Sequence, residues 1–430
     1  MTDWFELQEQ ATERAVRLSP EQLREIRAAL PHLTVEPGNG SDCYDLNPES
    51  YVGVVQLPNI GVSIRPKLDM ERVLFLWSYA FDPKHWRDRE VALPQATDLI
   101  SALAHVFASE LERQIRSGLL EGYRRRTENA PTVRGRILLA EQWQNTMRRI
   151  PVAACEYDEF TSDISENQLL KAAIHVLRCL PLLDQGTERA LARCEQELAT
   201  VASTRFTRGR VPEIHYHRGN LRYLRALELA RLILSRVSFD IEAGRVPLIS
   251  IRGFLFDMNR VFESFVRTAL REALGLPPWL FGSADEVGME SNLYLDEGRT
   301  VLLRPDLLWA QEKFAVFVGD VKYKRVTLPS MPNPDIYQML AYLIGSGLRT
   351  GLLIYPRGED ETGDRTIKLF IEGQASRILV RSIDISGPAE SILAQVKDLA
   401  RAIASIASDR SGYFGSHRSD ALPGLRVRER

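Results

Sequence analysis

The sequence predicts a multidomain α+β protein with a small β-rich N-terminal region, a helical middle region and a C-terminal α/β domain. Three observations carry that reading. The chain has 430 residues, more than a single hydrophobic core usually supports. Short β-rich segments cluster between residues 44 and 68, whereas the stretch from 95 to 245 repeats its apolar residues at helical spacing. After Gly244 the elements run helix, three strands, helix and further strands, which is the order of an α/β domain with a mixed sheet.

The elements follow in order. Ser19-Pro20, an N-cap and first-turn proline, opens a helix over Leu18–Leu30 with Leu23, Ile26 and Leu30 on one face. Tyr51-Val52-Gly53-Val54-Val55 and Gly61-Val62-Ser63-Ile64 read as two strands joined at Pro58-Asn59, and Val73 to Tyr79 returns to helix. In the middle region Leu99, Leu103, Val106, Phe107 and Leu111 make one apolar stripe, and Leu221, Leu224, Leu227 and Leu234 another. Arg-rich loops are expected between them, because residues 111–150 hold nine arginines against four glutamates, a cluster suited to touching phosphates or to covering a solvated face. A helix from about Phe254 to Leu274 stops at Gly275-Leu276-Pro277-Pro278. Strands are expected at Ser291–Leu295, Thr300–Leu308 and Phe314–Val321, a helix at Asp335–Ile344, strands at Gly351–Tyr355, Ile367–Ile371 and Ile378–Ile383, and a closing helix from Ala389 to Ile406. The expected domains are 1–90, 91–245 and 246–408, with a loose Ser-, Gly- and Arg-rich tail over 409–430.

Composition narrows the function. Apolar residues make up 44% and charged residues 26%, as in an ordinary globular protein, and the formal charge of −2 excludes binding to nucleic acid through sheer positive excess. The four cysteines form no CxxC pair and have no metal-ligand spacing with the seven histidines, so free or buried thiols are expected and no zinc site. The first ten residues, MTDWFELQEQ, are acidic and lack an apolar segment, and no run is long enough to span a bilayer; a cytoplasmic location is the expectation.

The chemistry lies in the C-terminal domain. Arg304-Pro305-Asp306 falls in the second of its strands, and Asp320-Val321-Lys322 closes the third after the apolar run Phe314-Ala315-Val316-Phe317-Val318. Side chains alternate along a strand, so Asp320 and Lys322 share a face and Val321 turns into the core. If the two strands pair, Asp306 and Asp320 reach one cation, with the main-chain carbonyl of Val321 as a further ligand. Two hard carboxylates and an ammonium are what metal-assisted hydrolysis of a phosphodiester needs. Asp82-Pro83-Lys84 repeats the letters DxK, but its proline disfavours a central strand, and Pro334-Asp335 reads as a helix start. Gln338 and Tyr342 stand i, i+4 on the following helix, and Glu263 sits at the margin of a buried helix face, either completing a metal site or forming a surface salt bridge.

Together, Asp306, Asp320-Val321-Lys322 and the Gln338/Tyr342 pair resemble the core of the PD-(D/E)xK nucleases, the restriction-endonuclease-like fold, with its QxxxY helix. The wording Asp320-Val321-Lys322-Tyr323-Lys324 is similar to the McrC family, the nuclease subunit of McrBC-type 5-methylcytosine restriction systems. The similarity continues upstream through Gly53-Val54-Val55, Ile64-Arg65-Pro66-Lys67-Leu68, Arg134-Gly135-Arg136-Ile137, Tyr157-Asp158-Glu159-Phe160-Thr161 with Asp163 and Asn167, and Met258-Asn259 with Phe262-Glu263. Residues 1–45 match no motif of the family.

The resemblance implies a DNA endonuclease with catalytic Asp306, Asp320 and Lys322, and Mg²⁺ or Mn²⁺ held by Asp306, Asp320, Val321 and Glu263. Gln338, Tyr342 and Lys324 would position DNA. It further implies a McrB-like AAA+ GTPase ring as partner, stimulated by this chain, methylated double-stranded DNA as substrate, and pairing of two nuclease domains to cut both strands. No GxxxxGK[ST] loop occurs, so no nucleotide is expected on this chain itself. Arg65 and Lys67 either end a strand or present cations to the partner; Arg134 and Arg136 are candidates for phosphate or partner contact, or for a strand edge. Asp163 and Glu166 read as the N-terminal box of an apolar helix. Two other functions fit the same residues, a stand-alone DNA repair nuclease and a non-catalytic activator of an AAA+ motor.

Overall fold

The computed structural model describes residues 3–81, 83, 99–179, 184–204, 206, 212, 214, 219–237, 252–287, 293–311, 314–324, 333–357, 364–371 and 373–414. Asp82 and Lys84 of the second DxK triplet, the 245/246 boundary and residues 415–430 lie outside them. In chain order the first elements are β1 (Asp3–Gln8), β2 (Glu13–Arg17), α1 (Pro20–Ala29), β3 (Thr34–Pro37), β4 (Cys43–Asn47), β5 (Tyr51–Gln56) and β6 (Ile60–Arg65). Next come α2 (Met70–Phe81), α3 (Leu99–Arg116), β7 (Gly122–Ala130), β8 (Arg136–Ile137), α4 (Leu139–Met147), β9 (Ala153–Thr161), α5 (Ser165–Arg178), α6 (Gln185–Glu197) and α7 (Leu224–Val237). The remainder is β10 (Arg252–Asp257), α8 (Met258–Leu274), β11 (Phe281–Gly282), β12 (Leu293–Tyr294), β13 (Leu302–Leu303), β14 (Leu307–Gln311), β15 (Phe314–Val321), α9 (Asn333–Ser346), β16 (Thr350–Pro356), β17 (Arg365–Ile371), β18 (Gln374–Ile383) and α10 (Ala389–Phe414). The described residues divide into two units, drawn from Met1–Glu49, Gly53–Arg65 and Val91–Leu255, and from Ser50–Val52, Pro66–Glu90 and Phe256–Arg430.

In the first unit α1 starts where its cap dictates. The Ser19 hydroxyl accepts from the Gln22 amide N–H at 3.2 Å, and the Gln22 side chain accepts from the Ser19 N–H at 2.9 Å, a reciprocal box. β5 and β6 form the expected antiparallel hairpin, and β1 adds to β6 in parallel. β1 and the three-stranded sheet β2-β4-β3 were not expected, because segments such as Asp3–Gln8 bury a single apolar side chain, Leu7, and carry too little alternation to announce a strand.

The helical reading of the middle region needs two corrections. A sheet β7-β9-β8 stands inside it, and three of the arginines expected in loops, Arg124, Arg125 and Arg126, lie on β7. Its strands Gly-Tyr-Arg-Arg-Arg-Thr-Glu-Asn-Ala and Ala-Ala-Cys-Glu-Tyr-Asp-Glu-Phe-Thr are held by a nine-residue antiparallel ladder and cross-strand charge rather than by an apolar face. Gly135 has φ +63°, and a Cβ there would lie 2.4 Å from the Glu156 carbonyl oxygen, so the turn into β8 needs a glycine. Leu103, Phe107 and Leu111 of the α3 stripe are buried as expected and Val106 half-buried, but Leu221 is exposed, and the buried face near α7 runs instead through Tyr223, Ala226, Leu227, Ala230, Ile233 and Leu234.

The second unit is built on a six-stranded mixed sheet, β11-β14-β15-β16-β18-β17. β14 and β15 are antiparallel, β15, β16 and β18 parallel, and β17 antiparallel to β18. α8 begins at Met258, not near Phe254. Arg252–Asp257 is a strand whose apolar run merges with the helical stripe in sequence, and Asp257 caps the helix by accepting from the Asn259 N–H at 3.0 Å. Gly275, in the left-handed region at φ +66°, closes it as expected. The expected strand Thr300–Leu308 is two strands: Leu302–Leu303 pairs with Leu293–Tyr294, Leu307–Gln311 joins the large sheet, and Arg304-Pro305-Asp306 lies between. Pro305 has no N–H to give to a ladder, which breaks the run there. α10 continues to Phe414, past the start of the expected tail.

Two layers cover this sheet. On one, Met339, Tyr342 and Leu343 of α9 pack with Leu308, Val318, Leu353, Tyr355 and Val380. Gly351 allows the close approach, since a Cβ there would sit 2.4 Å from the Met339 sulfur. On the other, Phe281 stacks on Phe317 at 6.3 Å and Phe262 meets Tyr323 at 5.6 Å. Phe262 and Phe265 are fully buried, each contributing about 1.5–3 kcal/mol by leaving water. All four cysteines are free thiols, and no helix among the described residues is long and apolar enough to cross a membrane.

Candidate carboxylate and lysine site

The pairing of β14 with β15 sets Leu307 opposite Gly319, so one step further out Asp306 meets Asp320. The two acids are thereby brought together, as the sequence spacing required. A bulge at Val316, where the partner of Trp309 is Phe317 and that of Ala310 is Ala315, puts Ala315 and Val318 on one face with Asp320 and Lys322 beyond them. One Asp306 oxygen accepts from the Val321 N–H at 2.9 Å, anchoring the segment before β14 to the end of β15. The Lys322 N–H donates to the Ile354 carbonyl at 2.9 Å, tying that end to β16.

Asp320 is 1% exposed and lies 2.6 Å from the Lys322 ammonium. Both its oxygens are buried, and beyond Lys322 and the Asp306 segment no described residue offers them a hydrogen bond. Buried carboxylates are normally hydrogen-bonded, so this one is poised toward a ligand that the protein alone does not supply. Burial and the neighbouring Asp320 charge push the Asp306 carboxyl up to about 7, and burial raises Asp320 as well against the pull of Lys322. Burial works against the Lys322 ammonium, but the carboxylates of Asp320, Asp306 and Asp335 outweigh it and hold its pKa above the ordinary value. The donor set is hard oxygen beside a fixed cation, which fits a small divalent ion.

The other predicted residues fall as follows. Glu263 bonds Arg267 at 2.8 Å, and burial followed by the Asp306 charge raises its pKa, so it lies within electrostatic reach of the pair. No group of three or more His, Cys, Asp or Glu able to hold a metal occurs among the described residues, so the acidic donors brought together here are Asp306 and Asp320. Gln338 donates to the Tyr342 hydroxyl at 2.7 Å, and that hydroxyl donates to the Arg304 carbonyl at 2.9 Å, which ties α9 to the segment carrying Asp306. Lys324 is paired with Asp335 at 2.7 Å, and the Lys67 ammonium lies 3.9 Å over the Tyr323 ring. Asp335 and Tyr355 escaped the sequence reading. Pro334-Asp335 does stand in the first turn of α9, yet Asp335 is 4% exposed and accepts from the Tyr355 hydroxyl at 2.7 Å, a partnership between distant strands and helix that no spacing reports.

In the first unit, Arg65 pairs with Glu6 at 2.9 Å. Arg136 stands opposite Glu156 in the β8–β9 ladder, and Arg134 lies beside Tyr157. The arginines of β7 are matched one by one. Arg124 bonds Asp163, Arg125 approaches Glu156 and Asp158, and Arg126 bonds Glu159 at 2.9 Å. Asp163 and Glu166 do not cap α5, whose N-cap is Ile164 without a side-chain bond. Asp163 instead accepts from Gln168 and from the Ala202 N–H, each at 2.8 Å, and these bonds with Arg124 outweigh burial to lower its pKa. Glu166 accepts from Asn220, and the buried Asn167 amide donates to the carbonyls of Leu120 and Ser162 at 2.8 and 2.7 Å.

Fold and site define a multidomain α+β protein whose C-terminal mixed sheet carries, at the ends of adjacent strands, a buried and a half-buried carboxylate and a lysine. The family model of the McrBC 5-methylcytosine restriction system component matches residues 46–356, and the chain belongs to that family. Among solved structures, it is similar to a chain of the refined half-complex from a tetradecameric assembly of Thermococcus gammatolerans McrB AAA+ hexamers with bound McrC, with a TM-score of 0.58 at 16% identity over 94% of this chain and 100% of that one. That likeness establishes a shared fold. A chain of the cryo-EM structure of the Thermococcus gammatolerans McrBC complex gives a TM-score of 0.42 at 17% identity over 63% and 88% of the two chains. No curated protein matches the sequence.

Proposed function

We propose that this chain is the McrC-type nuclease subunit of its restriction system, and that its C-terminal unit is a PD-(D/E)xK domain hydrolysing DNA phosphodiesters. The carrying observation is Asp320, buried beside Asp306 and 2.6 Å from the Lys322 ammonium, with no other described residue bonding its carboxylate. Asp306 and Asp320 would hold Mg²⁺ or Mn²⁺. The Val321 carbonyl would join them, since the N–H of the same residue, which in a strand points the same way, already reaches Asp306. When bound, such an ion lowers the pKa of a water and offsets charge on the phosphate. Lys322 then orients the attacking water and stabilises the negative charge that grows on the phosphoryl oxygens. Gln338 and Tyr342 brace the Asp306 segment through the Arg304 carbonyl rather than needing to touch DNA. Glu263 is available to approach the ion if its bond to Arg267 opens.

Membership of the family and the absence of a GxxxxGK[ST] loop support a division of labour in which a McrB-like AAA+ GTPase ring is the motor and this chain stimulates it and cuts methylated double-stranded DNA. The test is cleavage of methylated DNA by the chain with its GTPase ring, GTP and Mg²⁺. Asp320→Ala and Lys322→Ala are expected to lose at least about a hundredfold in cleavage while still engaging the ring. Undiminished cleavage by either variant overturns the assignment.

A further inference from the structure

The face of α9 that looks onto the sheet carries Asp335, Gln338 and Tyr342 at spacings of three and four, one above another. Its Tyr342 end holds the Arg304 carbonyl, two residues before Asp306. Its Asp335 end holds the continuation of β15. The Asp335 oxygens take Lys324 at 2.7 and 2.8 Å and the Tyr355 hydroxyl at 2.7 Å. Tyr355 stands on β16 one step beyond the Val321–Ile354 pair, beside Lys322. One buried carboxylate therefore joins α9, β16 and Lys324, two residues beyond Lys322.

We propose that Asp335 is a positioning residue for the carboxylate–lysine site, fixing the end of β15, and with it Asp320 and Lys322, against β16 while Tyr342 fixes Asp306 from the other end of the same helix. This deepens the nuclease reading and rests on it. A simple surface ion pair accounts poorly for the geometry. Asp335 is buried, it bonds Tyr355 on β16 and Lys324 beyond the end of β15, and its helix also grips the segment that carries the facing ligand. Lys324, expected to meet DNA, is on this account engaged in holding the strand end.

The experiment is Mn²⁺ titration of the full-length chain by calorimetry, alongside Mg²⁺-dependent cleavage of methylated DNA with the GTPase ring. It uses Asp335→Asn, Lys324→Met and Tyr355→Phe, with circular dichroism and Tm recorded for each. The expected result is an about tenfold to hundredfold loss of Mn²⁺ affinity in Asp335→Asn and a smaller loss in Tyr355→Phe, with native circular dichroism, partly recovered in cleavage by raised Mn²⁺. Should Asp335→Asn fail to fold, Lys324→Met carries the same expectation. Mn²⁺ affinity and metal dependence equal to the unsubstituted chain in a folded variant, whatever its Tm, overturn the positioning role and leave the nuclease proposal standing. A lack of Mn²⁺ binding by the unsubstituted chain overturns both.

Discussion

The β7–β9 sheet of the first unit and the β14–β15 pair of the second both concentrate charge on neighbouring strands, with opposite design. On β7 each arginine meets a carboxylate of β9 or of the turn after it, and the arginines are exposed while Glu159 and Asp163 are half-buried. At the ends of β14 and β15 the buried Asp320 and the half-buried Asp306 face each other, with the Lys322 ammonium 2.6 Å from Asp320. Exposed, screened pairs cost little and contribute little, typically up to about 1 kcal/mol. Burying two carboxylates together is unfavourable unless something cationic offsets them, and folds retain such an arrangement where binding needs it. Local arginine density therefore points to a strand surface here, and the sparse charges in the apolar strands point to chemistry.

The largest effect expected from this contrast is a pH dependence of the metal-free protein. A folded-state pKa near 7 for Asp306 lies above its unfolded value, so between about pH 4 and 7 the native state keeps a proton that the unfolded chain releases. Stability thus falls as pH rises through that window and levels off above it. Asp306→Asn removes the Asp306 share of this fall and leaves that of the raised Asp320, making the metal-free variant more stable than the parent above pH 7, by roughly 2–4 kcal/mol, with the difference vanishing below about pH 4. Thermal melts in chelator across that range measure it, and Mg²⁺ is expected to raise the parent's Tm more at pH 8 than at pH 6. Parallel pH profiles for parent and variant would break the contrast.

Smaller is Gly135→Ala, where a left-handed φ and a 2.4 Å approach to the Glu156 carbonyl oppose any side chain. A loss of roughly 1–3 kcal/mol is expected, read as a lower midpoint in urea. The smallest is Arg125→Ala. Its contacts with Glu156 and Asp158 are long, at 4.0 and 3.9 Å, and its side chain is exposed, so a change under about 1 kcal/mol is expected. A larger loss in denaturant would mean that the arginine sheet is more than a solvated surface.

Legibility followed the physics of each element. α1, the β5–β6 hairpin, α9 and the strands from β15 to β18 announced themselves through caps, period-two alternation or continuous apolar runs, all local signals. The β7–β9 sheet did not, because its strands are charged on both faces and take their stability from pairing across about thirty residues of sequence. The start of α8 was misplaced although its signal, Asp257 as N-cap, was present within an apolar run that masked it. At the candidate site, the proximity of Asp306 to Asp320 and of Gln338 to Tyr342, and the shared face of Asp320 and Lys322, were legible from residue type and spacing. Asp335 was placed correctly at a helix start, but its bonds to Lys324 and Tyr355 were not readable.

By itself the sequence singled out Asp306, Asp320 and Lys322 as the candidate carboxylates and ammonium, and alternation along β15 put Asp320 and Lys322 on one face. Tertiary structure decided which charges are neutralised, which are desolvated, and what holds each in place. Those properties depend on partners distant in sequence and on exclusion of water, and only a folded chain brings distant partners within hydrogen-bonding reach and shuts water out.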